Sequence, residues 1–190
     1  MSTIRHDNDE SDCSDRSRLR CRDIMTRDVA VVTCDMTLQD VAFLMREEDT
    51  GIIPVVDVAE AHDLTEETKE PQTAKSRARA HSHGKLVGLI TDRDIVVRAV
   101  SEGRDAKTTR ADEAMTTEIH SAREDDRVID VIRMMGDKQV RRIPVVSDDG
   151  ILRGIISMAD VVLETEADHE LAGALEEISS GASFWNRVFG

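Results

Sequence analysis

The chain has 190 residues with 39 Asp and Glu against 25 Lys and Arg, a formal net charge of −14, which favours solubility and opposes nonspecific binding to DNA or to an anionic membrane surface. Aromatic residues make up 2% and Tyr is absent, so base-stacking platforms for single-stranded nucleic acid have almost nothing to be built from. No apolar run is long enough for a membrane span, and the N-terminus is polar and acidic rather than basic then apolar, so a cytoplasmic protein is expected. The length suffices for one good core or two small intertwined ones. Cys13, Cys21 and Cys34 are odd in number and lack metal-ligand spacing, which reads as free thiols in a reducing compartment.

Residues 1–21, rich in Asp, Ser and Arg, are expected to form a disordered tail. Val29 to Val32 reads as a short buried strand. Thr37 and Asp40 then form a plausible capping box for a helix whose apolar face is Leu38, Val41, Ala42 and Met45. Ile52 to Val58 is a second strand, in which Pro54 suggests an edge or a bulge. Residues 59–83 are an acidic-then-basic excursion containing His62, His81 and His83. A histidine pair with no nearby Cys or fixed carboxylate reads as solvated loop, and no metal site is assigned. Lys85 to Thr91 is a third strand, followed by a helix from about Asp92 to Glu102 that stops at Gly103.

After residues 104–114 the order recurs. A strand from Glu118 to Ala122 precedes a helix starting near Arg127 behind Asp125 or Asp126. Two strands then flank the turn Ser147 to Gly150, and Ser157 opens a last helix. Thr50-Gly51-Ile52-Ile53-Pro54-Val55-Val56 lies 90 positions before Val140-Arg141-Arg142-Ile143-Pro144-Val145-Val146, and Thr91 and Asp94 lie 66 before Ser157 and Asp160. Met25-Thr26 matches Met115-Thr116, Leu38 matches Val128 and Met45 matches Met135 at the first offset. This is an internal duplication with an insert of about 24 residues in the first copy. Residues 166–190 add helix-prone sequence and an apolar tail with the only Trp, Trp185; such a tail suits its own domain, a neighbouring subunit or a partner.

Thr91 with Asp94, and Ser157 with Asp160, each stand where a strand gives way to a helix. A Ser or Thr followed three residues later by an acid is close to a capping box, and needs no ligand to explain it. The same place also suits a nucleotide. Backbone N–H groups at a helix start can bind an anion, and an Asp one turn in can accept both hydroxyls of a ribose. Arg141 and Arg142 precede Ile143-Pro144, whereas Gly51 and Ile52 precede Ile53-Pro54. Only the second copy therefore has built-in positive charge for phosphate, unless its arginines merely guard an exposed strand edge.

From Arg22 to Thr165, these matched copies of a Gly-apolar-x-Thr/Ser-x-x-Asp motif resemble a tandem pair of CBS domains, a Bateman module. The resemblance implies an α/β (α+β) fold in which each repeat runs strand, helix, strand, strand, helix, with the repeats packed sheet to sheet about a pseudo-two-fold axis. The first repeat would span residues 22–103 and the linker with the second repeat 104–165. It implies that Asp94 and Asp160 hold the ribose of an adenosine ligand, with Thr91 and Ser157 on phosphate or ribose. It further implies that Asp160 works with Val29 and Ala30, and Asp94 with Ile119 and His120. Arg141 and Arg142 would complete the first of these clefts and Gly51 the second, and the Asp160 cleft should take the more phosphorylated ligand.

The expected function is regulatory: binding of AMP, ADP, ATP, a dinucleotide or S-adenosylmethionine, passed as a conformational change to an effector protein, in a homodimer and with no cofactor required. The alternative is a ligand-independent interaction module acting through the tail around Trp185. An enzyme is disfavoured, since the sequence has no Ser–His–Asp order, phosphate loop or His-Glu-x-x-His motif.

Overall fold

The computed structural model describes residues 19–57 and 84–165, with 172, 173 and 176. Residues 1–18, the insert with its three histidines, and the tail around Trp185 lie outside the described residues. The elements in order are α1 (Cys21–Ile24), β1 (Val32–Thr33), α2 (Leu38–Glu47), β2 (Ile52–Asp57), β3 (Lys85–Thr91), α3 (Asp92–Ile95), β4 (Ala122–Arg123), α4 (Val128–Lys138), β5 (Arg142–Val146), β6 (Leu152–Ser157) and α5 (Met158–Thr165). They form two three-stranded mixed sheets, ordered β1-β2-β3 and β4-β5-β6. The duplication is visible in the register: β1 runs parallel to β2 with Val32 beside Val55 and Thr33 beside Val56, and β4 runs parallel to β5 with Ala122 beside Val145 and Arg123 beside Val146.

The chain divides into two compact units. One is Thr26–Glu124 with Ile143–Ile155. Its main core gathers Val32, Leu38, Val41, Leu44 and Met45 against Ile53, Val55, Ile90, Ala99, Ala111 and Ala114. Burying each large aliphatic side chain contributes roughly 1.5–3 kcal/mol. Thr37 caps α2 as expected, its hydroxyl accepting from the Asp40 N–H. Ala42, expected on the apolar face, is exposed, and Leu44 is buried in its stead.

Each first strand is shorter than the apolar pattern suggests, and starts at Val32 or Ala122 rather than at Val29 or Glu118. The residues just ahead are engaged elsewhere. Thr26 and Ile155 exchange backbone hydrogen bonds, both 2.9 Å, and Leu89 and Thr116 do the same at 2.9 and 2.7 Å. These are the same contact at matched positions: the segment ahead of each repeat completes the third strand of the other. Having served that strand, the chain has only two residues left beside its own β2 or β5. A third bridge joins Lys85 to Ile151, which are matched positions of the two repeats. Leu86 and Leu152, also matched, lie in one apolar cluster with Val31 and Val56. A position paired with its own counterpart is the mark of a local two-fold.

β2 is the central strand, so Pro54 is not at an edge. Its antiparallel neighbour is Leu89, whose N–H and C=O both turn the other way, to Thr116. β1 begins to pair only at Val55, and a register shift follows between Val55 and Val56. The missing donor of Pro54 therefore costs no ladder hydrogen bond. The helix after β3 also departs from a plain α-helix. α3 widens into a π-helical stretch, Val96–Val100, where the Ser101 N–H donates to the Val96 carbonyl at 3.0 Å, and Gly103 then ends it at φ 69°.

The second unit comprises residues 19–25, Asp125–Arg142, and 156–165 with 172, 173 and 176 among those described. Neither Asp125 nor Asp126 caps α4; the cap position is Arg127, without a side-chain bond. The backbone ahead of the first repeat takes that role. The Val128 N–H donates to the Leu19 carbonyl at 2.9 Å and the Cys21 N–H to the Asp126 carbonyl at 3.0 Å. Leu19 to Cys21, the end of the stretch read as a loose tail, are thus held in place. The Cys21 side chain is fully buried. Burial first, and the neighbouring Asp126 carboxylate second, push its thiol up to about 12.

Two outcomes follow from this packing. A Cβ at Gly88 would stand 2.9 Å from Met115 Cγ and 3.3 Å from its Cβ, so Gly88→Ala forces residue 115 off β3. It should cost about 1–3 kcal/mol, read as a fall in Tm on thermal unfolding. The second concerns alkaline pH. The folded Cys21 thiol holds its proton above the ordinary value of 9.0, up to about 12. The folded state therefore binds more protons than the unfolded one in that window, and stability declines as pH rises through it. With no Tyr in the chain to titrate there, urea unfolding should show a shallower alkaline decline in Cys21→Ala than in wild type.

Candidate functional site

The two matched turns fold alike. At the end of β3, the Thr91 N–H and hydroxyl both donate to Asp94 Oδ2, at 2.9 and 2.6 Å, and the Asp94 N–H returns to the Thr91 hydroxyl at 3.1 Å. At the end of β6, Ser157 donates twice to Asp160 Oδ2 at 2.7 Å, and the Asp160 N–H returns to the Ser157 hydroxyl at 3.2 Å. The residue just ahead of the neighbouring strand, β2 or β5, closes each turn: the Asp92 N–H donates to the Gly51 carbonyl at 3.1 Å, and the Met158 N–H to the Arg141 carbonyl at 2.9 Å. The backbone of Gly51 and that of Arg141 therefore each lie against a turn. Both turns are full capping boxes, and each spends one carboxylate oxygen on its own cap.

The expectation of free N–H groups for an anion fails in the first repeat. Thr91, Asp92 and Asp94 donate as above, and the Arg93 N–H donates to Asp92 Oδ1 at 2.7 Å. Asp92 also fills the space beside Gly51, with Oδ2 3.1 Å from where a Cβ would stand. In the second repeat Met158 replaces that acid, and the Ala159 N–H has no such partner among the described residues.

The charges differ as well. Arg141 is exposed and Arg142 half-buried, and neither makes an ion pair among the described residues. In a chain of net charge −14, two adjacent arginines, one of which meets the turn through its carbonyl, are a local reversal of charge. The first repeat has instead a cation that reading the sequence missed. Arg98 Nη2 lies 3.4 Å from Asp94 Oδ1. Its Nη1 donates to the carbonyls of Ala114 and Met115 at 2.9 and 2.7 Å, and Nη2 to the Thr116 hydroxyl at 3.1 Å. The signal was available: the matched position in the second repeat is Glu164, a reversal of charge.

Ile119 and His120 are half-buried, and among the described residues no hydrogen bond or ion pair joins them to the Asp94 turn. Val29 and Ala30 are half-buried residues just before β1, in the unit that does not contain Asp160. Near the segment joining the repeats, the Arg110 N–H donates to Glu113 at 3.0 Å. This bond, followed by the charge of Arg104, holds the Glu113 carboxyl below its ordinary value. Among the described residues no group of three His, Cys, Asp or Glu side chains could hold a metal ion, and no helix is long and apolar enough to cross a membrane.

The sequence profile of the CBS domain matches residues 21–62 and 111–165. CBS domain-containing protein YhcV of Bacillus subtilis is 30% identical over 158 residues, 83% of this chain and 94% of its own length. Among solved structures, Hypoxic Response Protein I with two coordinated zinc ions is 28% identical at a TM-score of 0.58, over 76% of this chain and 98% of its own. The CBS domain pair of protein MJ0100, in complex with 5′-methylthioadenosine and S-adenosyl-L-methionine, is 22% identical at a TM-score of 0.58, over 78% and 96%; at that identity it speaks for the fold alone. With its paired turns, two matched sheets and these relatives, the chain belongs to the CBS-domain family.

Proposed function

We propose that the protein is a regulatory module that binds adenosine ligands at its two Thr/Ser–Asp turns and passes their presence to a partner. The observation that carries this reading is the second-repeat turn. Asp160 has Oδ2 committed to its cap, while Oδ1 has no ion pair among the described residues; Arg141, whose carbonyl closes the turn, and the adjoining Arg142 make no ion pair among them either. A ribose diol on that carboxylate with phosphate on the guanidiniums uses every group there. This site takes AMP, ADP, ATP or a dinucleotide. The first-repeat turn, with Asp92 beside Gly51 and no free N–H among its first four residues, suits an adenosine derivative without phosphate. The complex of the MJ0100 domain pair with 5′-methylthioadenosine and S-adenosyl-L-methionine is in keeping with such a ligand class. Signalling requires that the ligand prefer one arrangement of the chain over another.

The partner we assign first is a second copy. Val96 and Val97 on the helix after β3 are 56% and 51% exposed, and the matched Val162 and Leu163 on α5 are 47% and 73% exposed. An apolar face repeated at matched positions of a duplicated chain suits a symmetric contact between copies. No cofactor and no catalytic step are required of it.

Thermal unfolding with AMP, ATP, S-adenosylmethionine and 5′-methylthioadenosine tests the ligand reading. A ligand at 100 times its Kd adds about 2.7 kcal/mol, a rise in Tm of about 5–10 °C. Asp160→Ala should abolish the rise with AMP and ATP. Arg141→Ala with Arg142→Ala should weaken ATP about tenfold or more while sparing S-adenosylmethionine. If none of the four moves the curve, both turns are caps alone and the ligand-independent interaction module takes over. For the oligomer, sedimentation should give a dimer that Val97→Asp with Leu163→Asp converts to monomer; a monomeric wild type would sink the assignment.

A further inference from the structure

The first-repeat turn differs from the second in one contact that the ligand reading does not use. Asp94 is largely buried, its side chain 15% exposed, and its Oδ2 already accepts twice from Thr91. Oδ1 is the oxygen a ribose hydroxyl has to take, and Arg98 stands 3.4 Å from it. The same guanidinium is fastened by shorter bonds to the Ala114 and Met115 carbonyls and to the Thr116 hydroxyl. The last of these, Thr116, is paired with Leu89 of β3 in both directions. The three are also the stretch through which the first repeat leads into the second. Arg98 sits in the π-helical stretch Val96–Val100, a widening that often marks functional positions within helices.

We propose that Arg98 is the built-in occupant of the first-repeat site. In the ligand-free chain it neutralises Asp94 and ties that carboxylate to residues 114–116. In this proposal a ribose hydroxyl takes Asp94 Oδ1, which Arg98 holds only at 3.4 Å, so a bound diol displaces Arg98 from Asp94 and loosens its hold on the joining segment. The second repeat has no such tie, since Glu164 occupies the matched position. The two sites then differ in role: the Asp160 turn binds, while the Asp94 turn binds and reports to the connection between repeats. The release step rests on the adenosine reading of the Asp94 turn. The tie itself does not.

Hydrogen exchange of the Met115 and Thr116 amides in the full chain separates the two. Without ligand, Arg98→Gln should speed their exchange roughly tenfold. Asp94→Asn keeps an acceptor for Thr91 but removes the charge, and should speed it in the same direction. The double variant should be no faster than Arg98→Gln alone, because the two residues act through one contact. Arg98→Lys, with charge but without the fork, should fall between wild type and Arg98→Gln. If Asp94→Asn leaves the two amides at the wild-type rate, or if the effects add in full, Asp94 and the joining segment are not coupled and the proposal fails.

With 5′-methylthioadenosine as probe, wild type should show faster exchange at these amides, and Arg98→Gln should bind it about threefold or more tightly than wild type. Weaker binding by Arg98→Gln would make Arg98 a ligand contact and overturn displacement. If 5′-methylthioadenosine, AMP, ATP and S-adenosylmethionine all fail to bind through Asp94, the adenosine reading of that turn falls and the release step with it. The exchange rates of the ligand-free variants still decide the tie.

Discussion

Two antiparallel backbone pairs, Thr26 with Ile155 and Leu89 with Thr116, constrain nearly everything else in the chain. The outer edge of a strand presents unpaired N–H and C=O groups that must find partners. For β3 and β6 the partner is the segment ahead of the other repeat. The stretch joining the repeats is thereby a structural member rather than a tether. From this follow the two-residue length of β1 and β4, the glycine at position 88 beneath Met115, and the tolerance of a proline in a central strand. The nearness of Arg98 to the carbonyls of Ala114 and Met115 has the same origin.

Duplication gives two turns of one design, and divergence has made them electrostatically unlike. Each uses its acid first as a cap, so neither turn is strained or idle without a ligand. What distinguishes them is the second carboxylate oxygen and the residues around it. At Asp94 that oxygen faces Arg98, with Asp92 alongside. At Asp160 it faces no cation among the described residues, and the nearby arginines make no ion pair among them. The first carboxylate is thus paired within its own chain, and the second is not among the described residues.

The strong negative charge gives this contrast its weight. In so acidic a molecule anions are repelled in general, and Arg141 and Arg142 are a local exception to that charge. Screening limits the reach of the general field to about 8–10 Å at ordinary ionic strength, so the contrast between the two turns is a local one.

The sequence by itself determined the duplication, its two offsets, the strand and helix order of each repeat and the pairing of Thr91 with Asp94 and Ser157 with Asp160. Each of these is written in residues close together in the chain: alternating apolar runs, a Gly150 turn, a hydroxyl three residues before an acid. The same local signals misled where a distant segment competed. Val29 and Glu118 have strand-forming neighbours, yet the residues just ahead of each are spoken for by a strand in the other repeat. Asp125 and Asp126 are good caps, yet Leu19 reaches α4 first. Pro54 reads as an edge residue, yet its neighbour Leu89 had already turned to Thr116. Arg98 shows the limit most plainly, since a lone Arg on a helix gives no local hint that its partners are Asp94 on one side and carbonyls 16 and 17 residues onward on the other. Only the tertiary structure decided these, because backbone pairs between remote segments depend on where the whole chain places them and leave no period in the sequence.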